Sequence, residues 1–188
     1  MRDPKTKNVM KGNASYLRGA QNDILSLDRT IIKIRDEYTL SGRTFAFGEI
    51  EYLRDQFKQI VFLWVPAGGI GYKVINTNST QLAFDGSAGG LLERNPGRPP
   101  SRTGSLIAGQ RFQYKVSSAA ALTEALSTIW KTKDFSDSLT DFTAGLTCVL
   151  VGNLELKVEF IDSYKNKPSN PLLKKNDTAL LTSFVWKF

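Results

Sequence analysis

The chain has 188 residues, 25 Lys and Arg against 18 Asp and Glu, and a formal charge of +7. It contains no His and one Cys, Cys148, which excludes disulfide frameworks, Cys/His zinc sites and Ser-His or Cys-His catalysis within one chain. A membrane helix needs roughly 20 consecutive apolar residues, whereas the longest charge-free run, Gln59–Tyr72, is broken by Pro66, Gly68, Gly69 and Gly71.

The opening residues Met1-Arg2-Asp3-Pro4-Lys5 have no apolar stretch behind them, so no signal peptide is visible in the chain as written. From there the signal is period two, which predicts strands with two unlike faces. Met10, Ala14 and Tyr16 oppose Lys11, Asn13 and Ser15; Ile32, Ile34 and Tyr38 oppose Arg29, Lys33, Arg35 and Glu37, with Asp36 out of pattern. Ile50 and Tyr52 oppose Glu49 and Glu51, and Trp64, Ile70 and Tyr72 oppose Gly69, Gly71 and Lys73. Leu82, Phe84 and Ala88 oppose Gln81, Asp85 and Ser87; Leu106, Ala108, Phe112 and Tyr114 oppose Gly109, Arg111, Gln113 and Lys115. Leu122–Trp130 has no clean phase and reads as a strand from its position alone. Alternation then returns. Phe142, Ala144, Leu146, Cys148 and Leu150 oppose Asp141, Thr143, Gly145 and Thr147, and Leu154, Leu156, Val158 and Phe160 oppose Glu155, Lys157 and Glu159. Finally Leu180, Phe184, Trp186 and Phe188 oppose Ala179, Ser183 and Lys187.

The connections alternate in kind. Leu40–Gly42, Asn76–Ser79, Ser117–Ala119 and Val151–Asn153 are tight; Ala20–Leu25, Asp55–Gln59, Leu92–Arg102, Lys131–Ser138 and Tyr164–Asn176 are longer or more polar. An antiparallel up-and-down meander with one short-turn end and one long-loop end produces this order. A soluble barrel turns its apolar face inward, a membrane barrel outward. Three features favour the membrane: a strand of 11 residues at Leu154–Tyr164, near the 9–11 a tilted membrane strand needs; aromatics near strand ends on the apolar face; and a chain that ends on its last strand. The expected fold is therefore an all-β, antiparallel, up-and-down transmembrane β-barrel. It is a single domain over residues 1–188, with about ten strands. The alternative is a soluble β-barrel that binds an apolar ligand.

The membrane reading places Lys33, Arg35, Glu49, Glu51, Lys73, Asp85, Arg111, Lys115, Asp141, Glu155, Lys157 and Glu159 in the lumen, together with Lys11, Arg29 and Glu37. Mixed signs favour salt-bridged filling of a narrow barrel over a selectivity ring. Glu49 with Glu51, and Glu155 with Glu159, share faces as acid/base pairs would, but same-face strand positions about 7 Å apart occur on any solvated strand, and no enzymatic activity is expected. Neither a metal, a cofactor nor a catalytic residue is expected. Nucleic acid is not an expected partner, since the basic residues are dispersed; Lys165, Lys167, Lys174 and Lys175 fall in one expected loop, and Arg94, Arg98 and Arg102 in another. Gly68-Gly69-Ile70-Gly71 lacks the Lys-Ser/Thr of a phosphate loop, and Cys148 sits on the apolar phase as an inert thiol.

The terminal strand, from Lys175-Asn176-Asp177-Thr178 through Phe184-Val185-Trp186-Lys187-Phe188, resembles the C-terminal signature of bacterial outer-membrane barrels. The series Tyr38-Thr39-Leu40-Ser41-Gly42-Arg43, Tyr52-Leu53-Arg54-Asp55-Gln56-Phe57, Gly68-Gly69-Ile70-Gly71-Tyr72 and Asp134-Phe135-Ser136-Asp137 resembles, in order and spacing, the DUF481 family, described as salt-induced outer-membrane proteins. The resemblance implies residence in the bacterial outer membrane, contact with its lipids, and small-solute passage or binding in envelope or salt stress. It also implies a barrel-assembly signal read by the assembly machinery at Leu180, Phe184, Trp186 and Phe188, and a further N-terminal strand pair, so that the chain is expected to be truncated. Deleting Phe188 from a signal-bearing version is expected to reduce the membrane-inserted, heat-modifiable fraction several-fold; unaltered insertion would count against the signal.

Overall fold

Extended backbone is the conformation that puts alternate residues on opposite faces, and the chain adopts it almost throughout. The computed structural model describes residues 7–21, 24–170 and 172–186. Among them lie ten strands: β1 (Asn8–Gln21), β2 (Ile24–Thr39), β3 (Thr44–Asp55), β4 (Ile60–Asn76), β5 (Thr80–Arg94), β6 (Ser101–Lys115), β7 (Ala120–Lys131), β8 (Asp134–Val151), β9 (Leu154–Lys165) and β10 (Asn176–Trp186). Each pairs antiparallel with the next, in one sheet ordered β1 to β10, with β1 and β10 as its edges. Turns 40–43, 77–79, 116–119 and 152–153 gather at one end; 56–59, 95–100, 132–133 and 166–175 lie at the other.

Two of the expected long connections are shorter than the sequence suggests. Lys131–Ser138 is largely strand, because β8 already begins at Asp134, and β5 and β6 cut Leu92–Arg102 down to residues 95–100. The stretch Leu122–Trp130 lies inside β7. Its phase is blurred because Ile129 turns inward and is buried, while Glu124 takes the outward phase beside the exposed Leu122 and Leu126.

Away from register shifts near strand ends, every pair joins residues of like parity, such as Ile34 with Ile50, Tyr72 with Phe84 and Leu146 with Val158. A slip by one residue would turn a whole strand over, so this parity carries one face around all ten strands. Even-numbered Met10, Ile34, Ile50, Ile70, Phe84, Leu106, Leu146, Phe160, Leu180 and Phe184 are exposed on the convex side. Asp36, the residue out of pattern, is exposed there too.

The sheet is curled into a half-barrel. Laid flat, β2 and β8 would stand roughly 29 Å apart at about 4.8 Å per strand, yet Arg29 Nη2 on β2 donates to Asp141 Oδ1 on β8 at 2.8 Å. At the long-loop end Lys58, 2% exposed, reaches across the curl. Its Nζ donates to the Ser163 carbonyl at 3.0 Å and pairs with Asp177 Oδ2 at 2.8 Å. The loops join above it: Asn95 Nδ2 donates to the Gln59 carbonyl at 2.8 Å, Ser169 Oγ to Gln59 Oε1 at 3.2 Å, and Arg98 Nη2 to the Ser169 carbonyl at 3.2 Å.

Beneath those loops the concave side carries a packed apolar layer. Leu53, Ile60, Leu63, Val65, Leu91, Ile107, Ile129 and Leu139 form one buried cluster. Where Leu63, Leu91, Ile129 and Leu139 meet Lys131, Asp137 and Lys165, the gap left is about 10 Å³, no more than one water needs. Nearer the short-turn end Phe45 fills the space over Gly71, where a Cβ would fall within its ring.

Two outcomes follow. Gly71→Ala is expected to destabilise the fold by about 1–3 kcal/mol through overpacking, read as a lower urea midpoint in detergent, with partial recovery in Gly71→Ala/Phe45→Leu. Lys58→Met removes both partners across the curl and is expected to cost about 2–4 kcal/mol, whereas Asp177→Asn, at the exposed end of the pair, should cost under about 1 kcal/mol. Equal midpoints for these two variants would remove Lys58 as the clasp.

Candidate functional site

The inward phase of β2 and β3 brings Lys33, Arg35 and Glu37 opposite Glu51, Glu49 and Phe47. At the centre Arg35 is almost fully buried and lies over the Phe47 ring at 3.4 Å from its centroid. Its Nε donates to Glu37 Oε1 at 2.8 Å and its Nη1 to Glu49 Oε2 at 2.9 Å, and its Nη2 pairs with Asp85 Oδ2 at 3.2 Å. Arg111, from β6, holds the same two outer acids, with Nη1 on Glu37 at 2.7 Å and Nη2 on Asp85 at 3.2 Å. Lys11 pairs with Glu37 at 2.7 Å, and Lys33 with Glu49 at 3.3 Å and Glu51 at 3.2 Å. Five strands thus converge on one network of four cations, Lys11, Lys33, Arg35 and Arg111, and four carboxylates, Glu37, Glu49, Glu51 and Asp85.

Beside the network, between β1–β2 and β6–β7, lies a cavity of about 320 Å³. Lys11, Lys33, Arg35, Arg111, Glu49 and Asp85 line it, together with Asn13, Ile107, Gln110, Ala125 and Ser127. It sits on the short-turn side of the apolar layer, to which Ile107 belongs.

The sequence-predicted residues do not all meet here. Lys33, Arg35, Glu49, Glu51, Asp85 and Arg111 do. Asp141 lies deeper, on Arg29, which also faces Asp55 at 3.9 Å. Lys157 and Glu159 pair with each other at 2.5 Å along β9, apart from the cluster. Lys115 and the buried Glu155 border a second hollow at the short-turn rim, and Lys73 is half-buried near that rim. Of the terminal residues, Leu180 and Phe184 point outward on β10, Trp186 ends the strand, and Phe188 lies outside the described residues.

A second charged group escaped the sequence reading. Glu93 is held by Lys131 and by Lys165 Nζ at 3.3 Å, and both lysines also reach Asp137, at 2.5 and 3.3 Å. Lys165, expected in a solvated loop, is in fact the buried last residue of β9. Arg94 ends β5 and Arg102 lies in β6, leaving Arg98 in the loop. The available signal was parity: Asp55, Glu93, Lys131, Asp137 and Lys165 continue the inward odd phase past the point where their neighbours cease to alternate.

The carboxylate pair suited to acid/base work is engaged. Glu49 is bound by Arg35 and Lys33, and Glu51 by Lys33. Among the described residues no group of three or more Asp, Glu or Cys side chains is placed to hold a metal ion.

No curated protein matches this sequence. Among solved structures the chain is similar to the CymD monoaromatic hydrocarbon channel, at 9% identity and a TM-score of 0.47, over 97% of this chain and 71% of that one. The pattern of the family DUF481, described as a protein of unknown function, matches residues 2–188, and the chain belongs to that family.

Proposed function

We propose that this chain forms the barrel of a bacterial outer-membrane protein whose interior holds a small solute rather than passing one freely. The observation that carries the reading is the inversion of its two faces. The convex side exposes aliphatic and aromatic residues on every strand whose outward side chains are described, while the concave side buries ion pairs. Soluble monomers rarely expose contiguous apolar patches beyond a few hundred Å²; in lipid the same surface is the favourable one. Aromatics support the depth of insertion. Tyr38, Tyr72 and Tyr114 are exposed near the short-turn rim, and Trp64, tilted against Tyr52 with ring centroids 5.0 Å apart, lies toward the other. From Trp64 to Tyr72 a strand advances about 27 Å, which after tilting suits the roughly 25 Å band of such barrels.

Short turns face the periplasm and longer loops the exterior in this architecture. Loops 56–59, 95–100 and 166–175 and the apolar layer beneath them then close the outer end, and the cavity lies on the periplasmic side. The partners of this reading are outer-membrane lipids on the convex face and the assembly machinery at the terminal strand. It is non-catalytic, since the network neutralises its own carboxylates. The outer edges of β1 and β10 must find backbone partners in lipid, where each orphan group costs several kcal/mol.

The purified chain is expected to need detergent to stay monodisperse and to shift its gel mobility on heating. Monodispersity without detergent and no heat shift would favour the soluble, apolar-ligand barrel. In planar bilayers the chain is expected to give no steady conductance, and Leu63→Ala/Leu91→Ala/Ile129→Ala to introduce it; steady conductance of the unaltered chain would replace holding by passage.

A further inference from the structure

The charges around the cavity cancel in number but not in accessibility. The carboxylate side chains of Glu37, Glu49, Glu51 and Asp85 are 10%, 3%, 13% and 7% exposed, whereas those of Lys11, Lys33 and Arg111 are 49%, 30% and 32% exposed. Each acid already accepts from Arg35, Arg111 or one of the two lysines. Lys11, Lys33 and Arg111 are the more accessible partners. An ammonium has three donors and a guanidinium five. Lys11 spends one on Glu37, and Arg111 turns only its two terminal nitrogens to Glu37 and Asp85. Lys11 and Arg111 therefore keep spare N–H donors beside the cavity, where each carboxylate is already paired and only the uncharged Asn13, Gln110 and Ser127 add further polar atoms. A cation entering would have to compete with a resident lysine or arginine for a shielded acid. An anion needs only to bond the donors left over, in a partly desolvated space where charge-assisted hydrogen bonds are strong.

The uncharged lining sets the rest of the ligand. Ile107 and Ala125 give an apolar patch beside Ser127. The volume of about 320 Å³ lies at the small end of small-molecule pockets, which suits a compact organic ion and not an oligomer. We infer that the cavity between β1–β2 and β6–β7 is a binding site for small organic monoanions with a short apolar tail, held by Lys11, Lys33 and Arg111. This rests on the solute-holding interior proposed above and names the chemistry of its occupant.

The test uses three probes with the same five-carbon chain, pentanoate, pentanamide and pentylammonium, titrated calorimetrically into the detergent-solubilised chain, with probe-into-micelle heats subtracted. Pentanoate is expected to bind, with affinity falling as chloride rises, and the amide and ammonium at least ten-fold more weakly. Lys11→Gln, the most exposed of the three cations, should weaken pentanoate several-fold, and Lys11→Gln/Arg111→Gln at least ten-fold. Heat-modifiable mobility shows that each variant is folded, and Lys157→Gln, outside the cavity, should leave binding unchanged. Tighter binding of the amide or ammonium would overturn the anion assignment while leaving a solute-holding interior. Binding of none of the three by a chain that keeps its heat shift would overturn both, and leave the membrane barrel standing. Pentanoate affinity unaltered in the folded double variant would remove the site from this cavity.

Discussion

The interior is organised around one buried cation. Arg35 sits against the face of Phe47 and bonds Glu37 on its own strand, Glu49 on β3 and Asp85 on β5. Taking an ion from water costs several kcal/mol even after relaxation, and attraction offsets that only where the geometry is good and the remaining polar atoms are bonded. A planar fork over an aromatic ring meets this condition better than an ammonium would, because its donors are fixed in the plane that the carboxylates approach. The other charges are placed by this centre. Glu37 and Asp85 also receive Arg111, Glu37 receives Lys11, and Glu49 shares Lys33 with Glu51. The links of Lys11 and Lys33 join adjacent strands, but those of Arg35 to Asp85 and of Arg111 to Glu37 do not. β2 reaches β5 and β6 only because the sheet curls, so network and curl require each other.

Like-parity pairing makes this possible. Because each ladder joins even residues to even and odd to odd, charges from distant strands fall on one side without any strand being individually specified. The apolar residues must then fall on the other. The glycines of β4 serve the same end: Gly71 leaves room for the Phe45 ring, and Phe45 in turn lies 5.9 Å from the Arg35 guanidinium and 5.6 Å from that of Arg111. The aromatic floor, the cations on it and the strand that admits it form one packing unit.

The alternation of Leu154–Phe160 or Ile32–Tyr38 is legible in sequence because inward and outward residues differ in kind there. That contrast gave the strand order, the outward face and most of the central network. It fails toward the long-loop end, where Leu53, Leu63, Leu91, Ile129 and Leu139 turn inward while Trp64, Leu92 and Trp130 share the outward phase. With both faces apolar the period vanishes, and Leu122–Trp130 shows no phase. Charges beyond that layer, such as Glu93, Lys131 and Lys165, then look like loop residues. Lys58 lies in a turn, and nothing in a one-dimensional pattern signals that the turn folds over β9 and β10. Closure of one end is a tertiary event with no periodic signature.

The polarity of the cavity is hidden in the same way, for a different reason. Counted as a sequence, the inward residues of β1, β2, β3, β5 and β6 carry matched charges, and a neutral plug is the natural reading. Side-chain length breaks the tie. Carboxylates end one or two carbons from Cβ and stay close to the sheet, and those of this network are at most 13% exposed. Lysine and arginine extend past them, burying their stems while the charged ends stay wetter. A concave wall of paired residues thus becomes a layer whose outer bases are more accessible than its acids. Such a layer has no net charge, and at a distance its field cancels. Within a few ångströms, in a space closed at one end by an apolar layer, it discriminates by sign.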